Sequence, residues 1–241
     1  SDCSGNCALP RCSCVGESKS QSWSADDWHR HGQDQRALRR PRLVKQHHLS
    51  RVVGVLALQG AFEAHQHVLG QLGFETVQVR TPSDLKLVGA LVMPGGESTT
   101  MSHLLLTSGL FESIDTRLKQ GMPVFGTCAG MILLAKDVLD GRSDQKSFGA
   151  IDIDVKRNAY GRQIDSFETD IAVDGFVDDF HAVFIRAPQI ARCGEGVTVL
   201  ARHGQDVVLA RQGSVMVSSF HPELASDVRI HSLFTDSLQE A

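Results

Sequence analysis

Gly126-Thr127-Cys128-Ala129-Gly130 sets a thiol among small residues at the spacing G-x-C-x-G. This is the cysteine counterpart of the G-x-S-x-G nucleophile elbow. A strand-like stretch precedes it, and the apolar run Met131-Ile132-Leu133-Leu134-Ala135 follows as a helix. A sharp strand-to-helix turn holds its central residue in a strained backbone conformation, and glycines remove the side chains that would clash there. The helix behind it directs free N–H groups and the positive end of its dipole at the sulfur, which favours thiolate. The N–H of Ala129 is placed to bind an oxyanion. Taken alone, the motif reads equally as a buried structural cysteine.

A thiolate needs a base, and Ser219-Phe220-His221-Pro222-Glu223 supplies a candidate after the last strand-like run. Pro222 biases His221 toward extended geometry. In an extended segment residues two apart face the same way, so Glu223 is expected beside His221, holding its tautomer and stabilising imidazolium. A surface His-Pro turn with a solvated Glu is the bland alternative. Pro94-Gly95-Gly96-Glu97-Ser98-Thr99-Thr100-Met101 closes an earlier strand. Its paired glycines let backbone N–H groups approach a ligand, while the missing G-K-[ST] ending excludes a P-loop. Beside a cysteine elbow these amides would add a second oxyanion donor, worth ~2.7–4 kcal/mol in the transition state. A simple tight turn is the other reading. Cys193, in Arg192-Cys193-Gly194, has no such setting and reads as structural.

The elements that must position these residues are legible from residue 51 onward. The apolar, β-branched run 52–58 reads as a strand buried on both faces. Residues 61–72 read as a helix closed by Gly73, 74–80 as a second strand, 81–84 as a turn and 90–93 as a third strand stopped by Pro94. Helices over 98–106 and 111–119 and a strand over 123–125 follow. Strands alternating with helices mark an α/β domain with a parallel sheet. Beyond about residue 150 the runs 151–155, 167–173, 182–185, 197–201, 207–210 and 215–218 are strands separated by short turns, an antiparallel or mixed extension of the sheet. A helix over about 226–238 ends the chain.

The 241 residues are 41% hydrophobic, enough for one self-sufficient core in one domain. A net charge of -4 argues against a dedicated nucleic-acid binder. No run of about 18 apolar residues indicates a membrane span. Residues 1–50 differ: apolar residues are few and aperiodic, and Lys and Arg outnumber Asp and Glu. Such a segment cannot bury enough apolar surface to offset its ordering entropy, and disorder is expected. Cys3, Cys7, Cys12 and Cys14 there, with His29, His31, His47 and His48, raise zinc. Their spacings are not the paired C-x2-C of zinc knuckles, so free thiols are the preferred reading. The two distant cysteines of the body form no disulfide framework, which points to a reducing, cytoplasmic setting.

Together the elbow, the P-G-G-E-S-T-T loop and the H-P-E ending resemble class I (triad) glutamine amidotransferases. Leu58-Gln59-Gly60, Arg157-Asn158-Ala159-Tyr160-Gly161-Arg162-Gln163, Asp165-Ser166-Phe167-Glu168 and Phe184-Ile185-Arg186-Ala187-Pro188 narrow this. Over about residues 51–240 the chain is similar to the PdxT/SNO family, glutaminase subunits of pyridoxal 5'-phosphate synthase. The resemblance implies a three-layer, flavodoxin-like α/β fold, mostly parallel with an antiparallel or mixed addition, over 51–241. It implies hydrolysis of L-glutamine to L-glutamate and ammonia by Cys128, His221 and Glu223. L-Glutamine would be bound at Gly96, Glu97, Ser98, Arg157, Ile185 and Arg186, and the oxyanion and activation region formed by Gly96, Ala129 and Gln59. Arg157 and Arg186 suit a carboxylate or the ordering of the pocket. No metal or cofactor is implied. The partner implied is a (β/α)8-barrel synthase subunit in a hetero-oligomer. It takes the ammonia through a protected path and builds pyridoxal phosphate from ribose 5-phosphate and glyceraldehyde 3-phosphate. Gln59 would link activation to docking. Family members commonly carry Glu before His in the first helix; here the pair is Ala64-His65, with Glu63 one place earlier. This departure bears on partner contact, not on the chemistry. Two other readings are a γ-glutamyl hydrolase of the same fold, opposed by the P-G-G-E-S-T-T-M and R-N-A-Y-G-R-Q stretches, and a non-catalytic docking subunit, opposed by the intact triad.

Overall fold

A computed structural model of the protein describes residues 52–157 and 166–239. The expected disorder of 1–50, its zinc question and most of the R-N-A-Y-G-R-Q stretch (158–163) lie outside the described residues.

Strand β1 (Val52–Leu56) is buried along its whole length because residues of alternating direction feed two separate cores. Val53 and Val55 enter one, Val52 and Leu56 the other. Helix α1 (Phe62–Gln71) returns the chain to β2 (Glu75–Val79), parallel to β1. A short helix α2 (Pro82–Leu85) precedes β3 (Ala90–Met93). Helices α3 (Ser98–Thr107) and α4 (Leu110–Lys119) lead to β4 (Val124–Thr127), and α5 (Ala129–Leu134) runs without a break into β5 (Ala135–Val138). Then come β6 (Ile151–Lys156), the β7 (Phe167–Ile171) and β8 (Phe180–Phe184) hairpin, and β9 (Gln189–Cys193). β10 (Thr198–His203), β11 (Asp206–Gln212), β12 (Val215–Ser218) and α6 (Arg229–Gln239) complete the order.

Ten strands form one sheet in the order β2-β1-β3-β4-β12-β11-β9-β6-β5, with β10 paired to β11. β2, β1, β3, β4 and β12 are mutually parallel; β11, β9 and β10 join antiparallel. β7 and β8 form a separate antiparallel pair. Met101, Leu105, Ile114 and the apolar face of α5 cover one side of the sheet. Leu69 of α1, Ile230 and Phe234 of α6, and Phe180 and Phe184 of β8 pack with Phe125 on the other. The result is the expected three-layer α/β fold with an antiparallel addition. Among the described residues no helix is long and apolar enough to cross a membrane.

Several local expectations need correction. Residues 81–84 are not a plain turn. Thr81 Oγ1 accepts from the Asp84 N–H at 3.3 Å, Asp84 Oδ2 accepts from the Thr81 N–H at 2.9 Å, and Pro82 opens the helix, so a capping box starts one turn of α2. The post-elbow helix stops at Leu134, because Ala135 turns extended (φ -59, ψ 152) and pairs with Ile151. The terminal helix starts at Arg229 rather than about 226. The strand Gln189–Cys193 has no counterpart among the strands expected from the sequence.

Candidate active site

β4 and β12 are parallel neighbours in register, Ser218 opposite Thr127. Two segments distant in sequence therefore end side by side, and Cys128 follows one while His221 follows the other. Cys128 adopts φ 50, ψ -102, one of two described non-glycine residues with positive φ. Its N–H donates to Ser218 O at 2.8 Å, which ties the elbow to the neighbouring strand. The glycines around it are steric requirements. A Cβ on Gly130 would overlap the carbonyl oxygen of Met93, and one on Gly126 would lie 2.6 Å from Leu134 Cδ1. With side chains there, α5 could not lie against β3 and β4.

His221 is fixed at both ends. Its N–H donates to Val183 O at 2.8 Å, and its Nδ1–H donates to Glu223 Oε1 at 2.8 Å. Nδ1 being engaged, Nε2 is left for the sulfur of Cys128, which lines the same cavity as His221. Glu223 does reach His221, but not by extended geometry: Pro222–Leu224 is a turn of 3-10 helix, and it folds the carboxylate back under the ring. Burial opposes charge on His221. The attraction of Cys128 and of the hydrogen-bonded Glu223 outweighs it and pushes the imidazole up to about 10. Glu223 is buried as well, which works against its charge, yet His65 and His221 hold its carboxyl below the ordinary range. The arrangement is a buried imidazolium between the sulfur of Cys128 and an ionised carboxylate.

A cavity of about 380 Å³ opens over this group. Gly96, Glu97, Ser98, Cys128, Arg157, Ile185, Arg186 and His221 line it, as do Gly60 and Gly95 of the two glycine-containing motifs and Ala61 and Ile132, which sequence reasoning did not single out. Its size suits a small molecule. The Glu97 side chain is committed elsewhere: its oxygens accept from Thr99 N–H at 3.0 Å and Thr100 N–H at 2.6 Å, capping α3. Burial works against its charge, but those bonds bring its carboxyl down to about 2. The Glu97 carboxylate thus serves the start of α3. Arg157 Nη1 donates to Thr99 Oγ1 at 2.8 Å and to Gln145 Oε1 at 3.0 Å, while Gln145 Nε2 donates to Ser98 Oγ at 3.2 Å. Arg157 and Ser98 are thus linked through Gln145, which no sequence signal marked. Arg157 Nε is buried without a hydrogen bond; Asp140 is 3.9 Å away, close enough for charge but not for a bond. Arg186 is exposed and sits at φ 45, a bent backbone at the cavity wall. Gln59 and Ala129 are not among the lining residues. Gln59 Oε1 is buried without a partner, and its Cδ lies 3.7 Å from where a Gly96 Cβ would be. Cys193 is half-buried away from the cavity, and burial pushes its thiol up.

Behind Glu223 lie two fully buried histidines. His65 Nδ1 is 2.9 Å from His231 Nε2, and His65 Nε2 is 3.3 Å from both Thr127 Oγ1 and Glu223 Oε2. Burial holds His65 below its ordinary value despite the attraction of Glu223. Burial, then the repulsion of His65, takes His231 down to about 3. Such a histidine is neutral when folded but takes a proton when unfolded below its ordinary 6.5. Stability is then intact above that pH and is lost as pH falls below it. At about pH 5 the cost from His231 is about 2 kcal/mol, at 1.36 kcal/mol per unit. Acidification from about pH 7 to 5 should therefore lower the Tm of the native chain more than that of His231→Phe, whose ring can still pack on Phe125 as the imidazole does. Equal falls in thermal melts would contradict it.

A family model described as the SNO glutamine amidotransferase family matches residues 55–240. The chain is 51% identical over 193 residues to pyridoxal 5'-phosphate synthase subunit PdxT of Nocardioides sp., covering 78% of this chain and 96% of that relative. It is 53% identical over 190 residues to PdxT of Pelotomaculum thermopropionicum, with the same coverage of 78% and 96%. Among solved structures, a glutamine amidotransferase superposes with a TM-score of 0.73 at 48% identity, covering 78% of this chain and 98% of that one. A glutamine amidotransferase from Thermotoga maritima, 16% identical with a TM-score of 0.51 and coverage of 78% and 84%, shares the fold.

Proposed function

The chain belongs to the SNO glutamine amidotransferase family, and from that membership we propose that it is the glutaminase subunit of a pyridoxal 5'-phosphate synthase, working through Cys128, His221 and Glu223. The observation that carries the reading is the alignment of thiol, imidazole and carboxylate at the adjoining ends of β4 and β12, with Nδ1 of His221 2.8 Å from Glu223 Oε1.

The thiolate of Cys128 attacks the side-chain amide carbon of L-glutamine. The developing oxyanion is held by N–H groups, those of Ala129 and Gly96 being the best placed by sequence, with the Gln59 amide beside Gly96. The imidazolium of His221 gives its proton to the departing nitrogen, ammonia leaves, and a glutamyl thioester remains. Neutral His221 then takes a proton from water, the hydroxide attacks the thioester carbon, and L-glutamate leaves with thiolate and imidazolium restored. Glu223 keeps Nδ1 protonated throughout. Arg157, with donors to spare, and the backbone at Gly96, Glu97, Ser98, Ile185 and Arg186 bind the amino-acid end of glutamine.

Ammonia released into water is protonated and no longer nucleophilic, so the product needs a sheltered route to an acceptor. That supports a hetero-oligomer with a (β/α)8-barrel synthase subunit, as the relatives' name, subunit of pyridoxal 5'-phosphate synthase, suggests. The glutaminase domain of this reading spans 51–241 and works in the cytoplasm, in keeping with the free thiols of Cys128 and Cys193. The test is glutamine hydrolysis by the full chain with and without the barrel subunit. The pair should release glutamate and form pyridoxal phosphate from glutamine and the two sugar phosphates. A pair that hydrolyses no glutamine, or one that makes the cofactor only from added ammonium salt, would reject the proposal.

A further inference from the structure

We propose that His65 is a positioning residue of the triad, held by His231 in the one tautomer that presents an N–H to the rear oxygen of Glu223. This rests on the functional reading above and adds to it a second layer behind the carboxylate.

Glu223 is fully buried, and a buried carboxylate needs donors for both oxygens. Oε1 has the Nδ1–H of His221. Oε2 has no well-aligned hydrogen bond, and His65 Nε2, at 3.3 Å, is the ring nitrogen that faces it. The distance is that of an electrostatic contact with imperfect alignment, and Thr127 Oγ1 competes for the same nitrogen at 3.3 Å.

The tautomer follows from the other side of the ring. His65 Nδ1 and His231 Nε2 are 2.9 Å apart, and two ring nitrogens at that distance share one proton between them. Were the proton on His65 Nδ1, the neutral ring would turn the lone pair of Nε2 toward the carboxylate, which is repulsive. With the proton on His231 Nε2, His65 accepts at Nδ1 and donates from Nε2. His231 Nδ1 is then a bare acceptor, and it is the nitrogen buried without a partner. The protons of the group then run from His231 to His65, from His65 Nε2 toward Thr127 Oγ1 and Glu223 Oε2, and from His221 to Glu223. The groups that face His65 come from three elements: His221 and Glu223 after β12, His231 from α6, and the uncharged Thr127 at the end of β4. None but the carboxylate is negative. Neither His65 nor His231 lines the glutamine cavity, so their effect must pass through Glu223.

Losing the donor behind Oε2 loosens the carboxylate and weakens its hold on the imidazolium of His221. The thiolate–imidazolium pair then forms at higher pH and breaks at lower pH. The test compares the native full chain, His65→Ala, His65→Gln and His231→Phe, each with the barrel subunit. It reads kcat and KM for glutamine across pH, and the alkylation of the Cys128 peptide by iodoacetamide across pH. His65→Ala should lower kcat about tenfold or more, as loss of an orienting partner does, with KM changed less than about threefold. Its active pH range should narrow from both sides. His65→Gln, whose amide N–H reaches the same oxygen, should recover most of the rate and range. His231→Phe should show a smaller loss with the same narrowing. A folded His65→Ala with native kcat and range overturns the proposal, as does a loss of rate with an unchanged range that His65→Gln fails to recover, since that is packing alone. If His65→Ala does not fold, His231→Phe decides, and a native pH range there overturns it. If the native pair hydrolyses no glutamine, the functional reading fails, while the alkylation profiles still decide whether His65 tunes the cysteine–histidine pair.

Discussion

Cys128→Ala abolishes glutamine hydrolysis, with an expected loss in kcat on the order of 10⁴ to 10⁶-fold, the range seen when the nucleophile of a triad is removed. Without sulfur, water must attack the amide directly, with no thioester to divide the barrier. The loss is chemical rather than structural. Position 128 is at φ 50, and alanine meets the same backbone strain there as cysteine. The N–H of residue 128 still donates to Ser218 O, and its carbonyl still accepts from Ile132 N–H at 3.2 Å. The variant should therefore melt like the native chain and still bind glutamine. Steady-state release of glutamate, beside a melting curve and a binding isotherm, separates the two outcomes. A variant that folds, binds and hydrolyses at more than about a hundredth of the native rate would remove Cys128 from the chemistry.

Gly95→Ala is expected to cost about 10²-fold or more in kcat although residue 95 carries no reacting group. A Cβ there would overlap Cε1 of His221, and would lie 3.1 Å from its Nδ1 and 3.4 Å from Cys128 Cβ. A flexible side chain could step aside. This imidazole cannot do so cheaply, since Glu223 holds Nδ1 and Val183 O holds the backbone N–H. Either the ring shifts or the loop that supplies Gly96 retreats, and a displacement of about 1 Å in such a site is enough for that loss. The kinetic signature is a fall in kcat with the melting temperature nearly unchanged. A rate within threefold of native would mean that the ring and Gly95 are not packed face to face as described.

The elbow, the glycine loop and the buried parallel strands are legible in the sequence because each has a local cause. β3 and β12 are short apolar runs, and their bounds, 90–93 and 215–218, match what the hydrophobic pattern indicates. The unread elements lack that cause. β5 is Ala-Lys-Asp-Val, directly after an apolar helix with no glycine or proline between, so only its pairing with β6 makes it a strand. β9 carries polar Gln189 and charged Arg192, and Ile190 is its one buried residue, which hides its period. Glu223 lies beside His221 for a different geometric reason than the sequence suggests, because Pro222 opens a 3-10 turn as readily as it extends the residue before it. His231 and Gln145 are not legible at all, and His65 is legible only as part of the Ala64-His65 pair, not as a neighbour of Glu223. His65 and His231 meet across 166 positions, Gln145 reaches Ser98 across 47, and no spacing along the chain announces such a meeting.

The most direct measurement is the mass of the Cys128 peptide after the native chain, with its barrel subunit, has met a diazoketone analogue of glutamine. That reagent offers a ligand-shaped electrophile where the amide carbon would be. Stoichiometric labelling of Cys128 is expected, prevented by excess glutamine, absent in Cys128→Ala, and strongly slowed in Gly95→Ala. Labelling at Cys193 or at no cysteine, while glutamine hydrolysis continues undiminished, would contradict the assignment of sulfur, imidazole and carboxylate at the ends of β4 and β12.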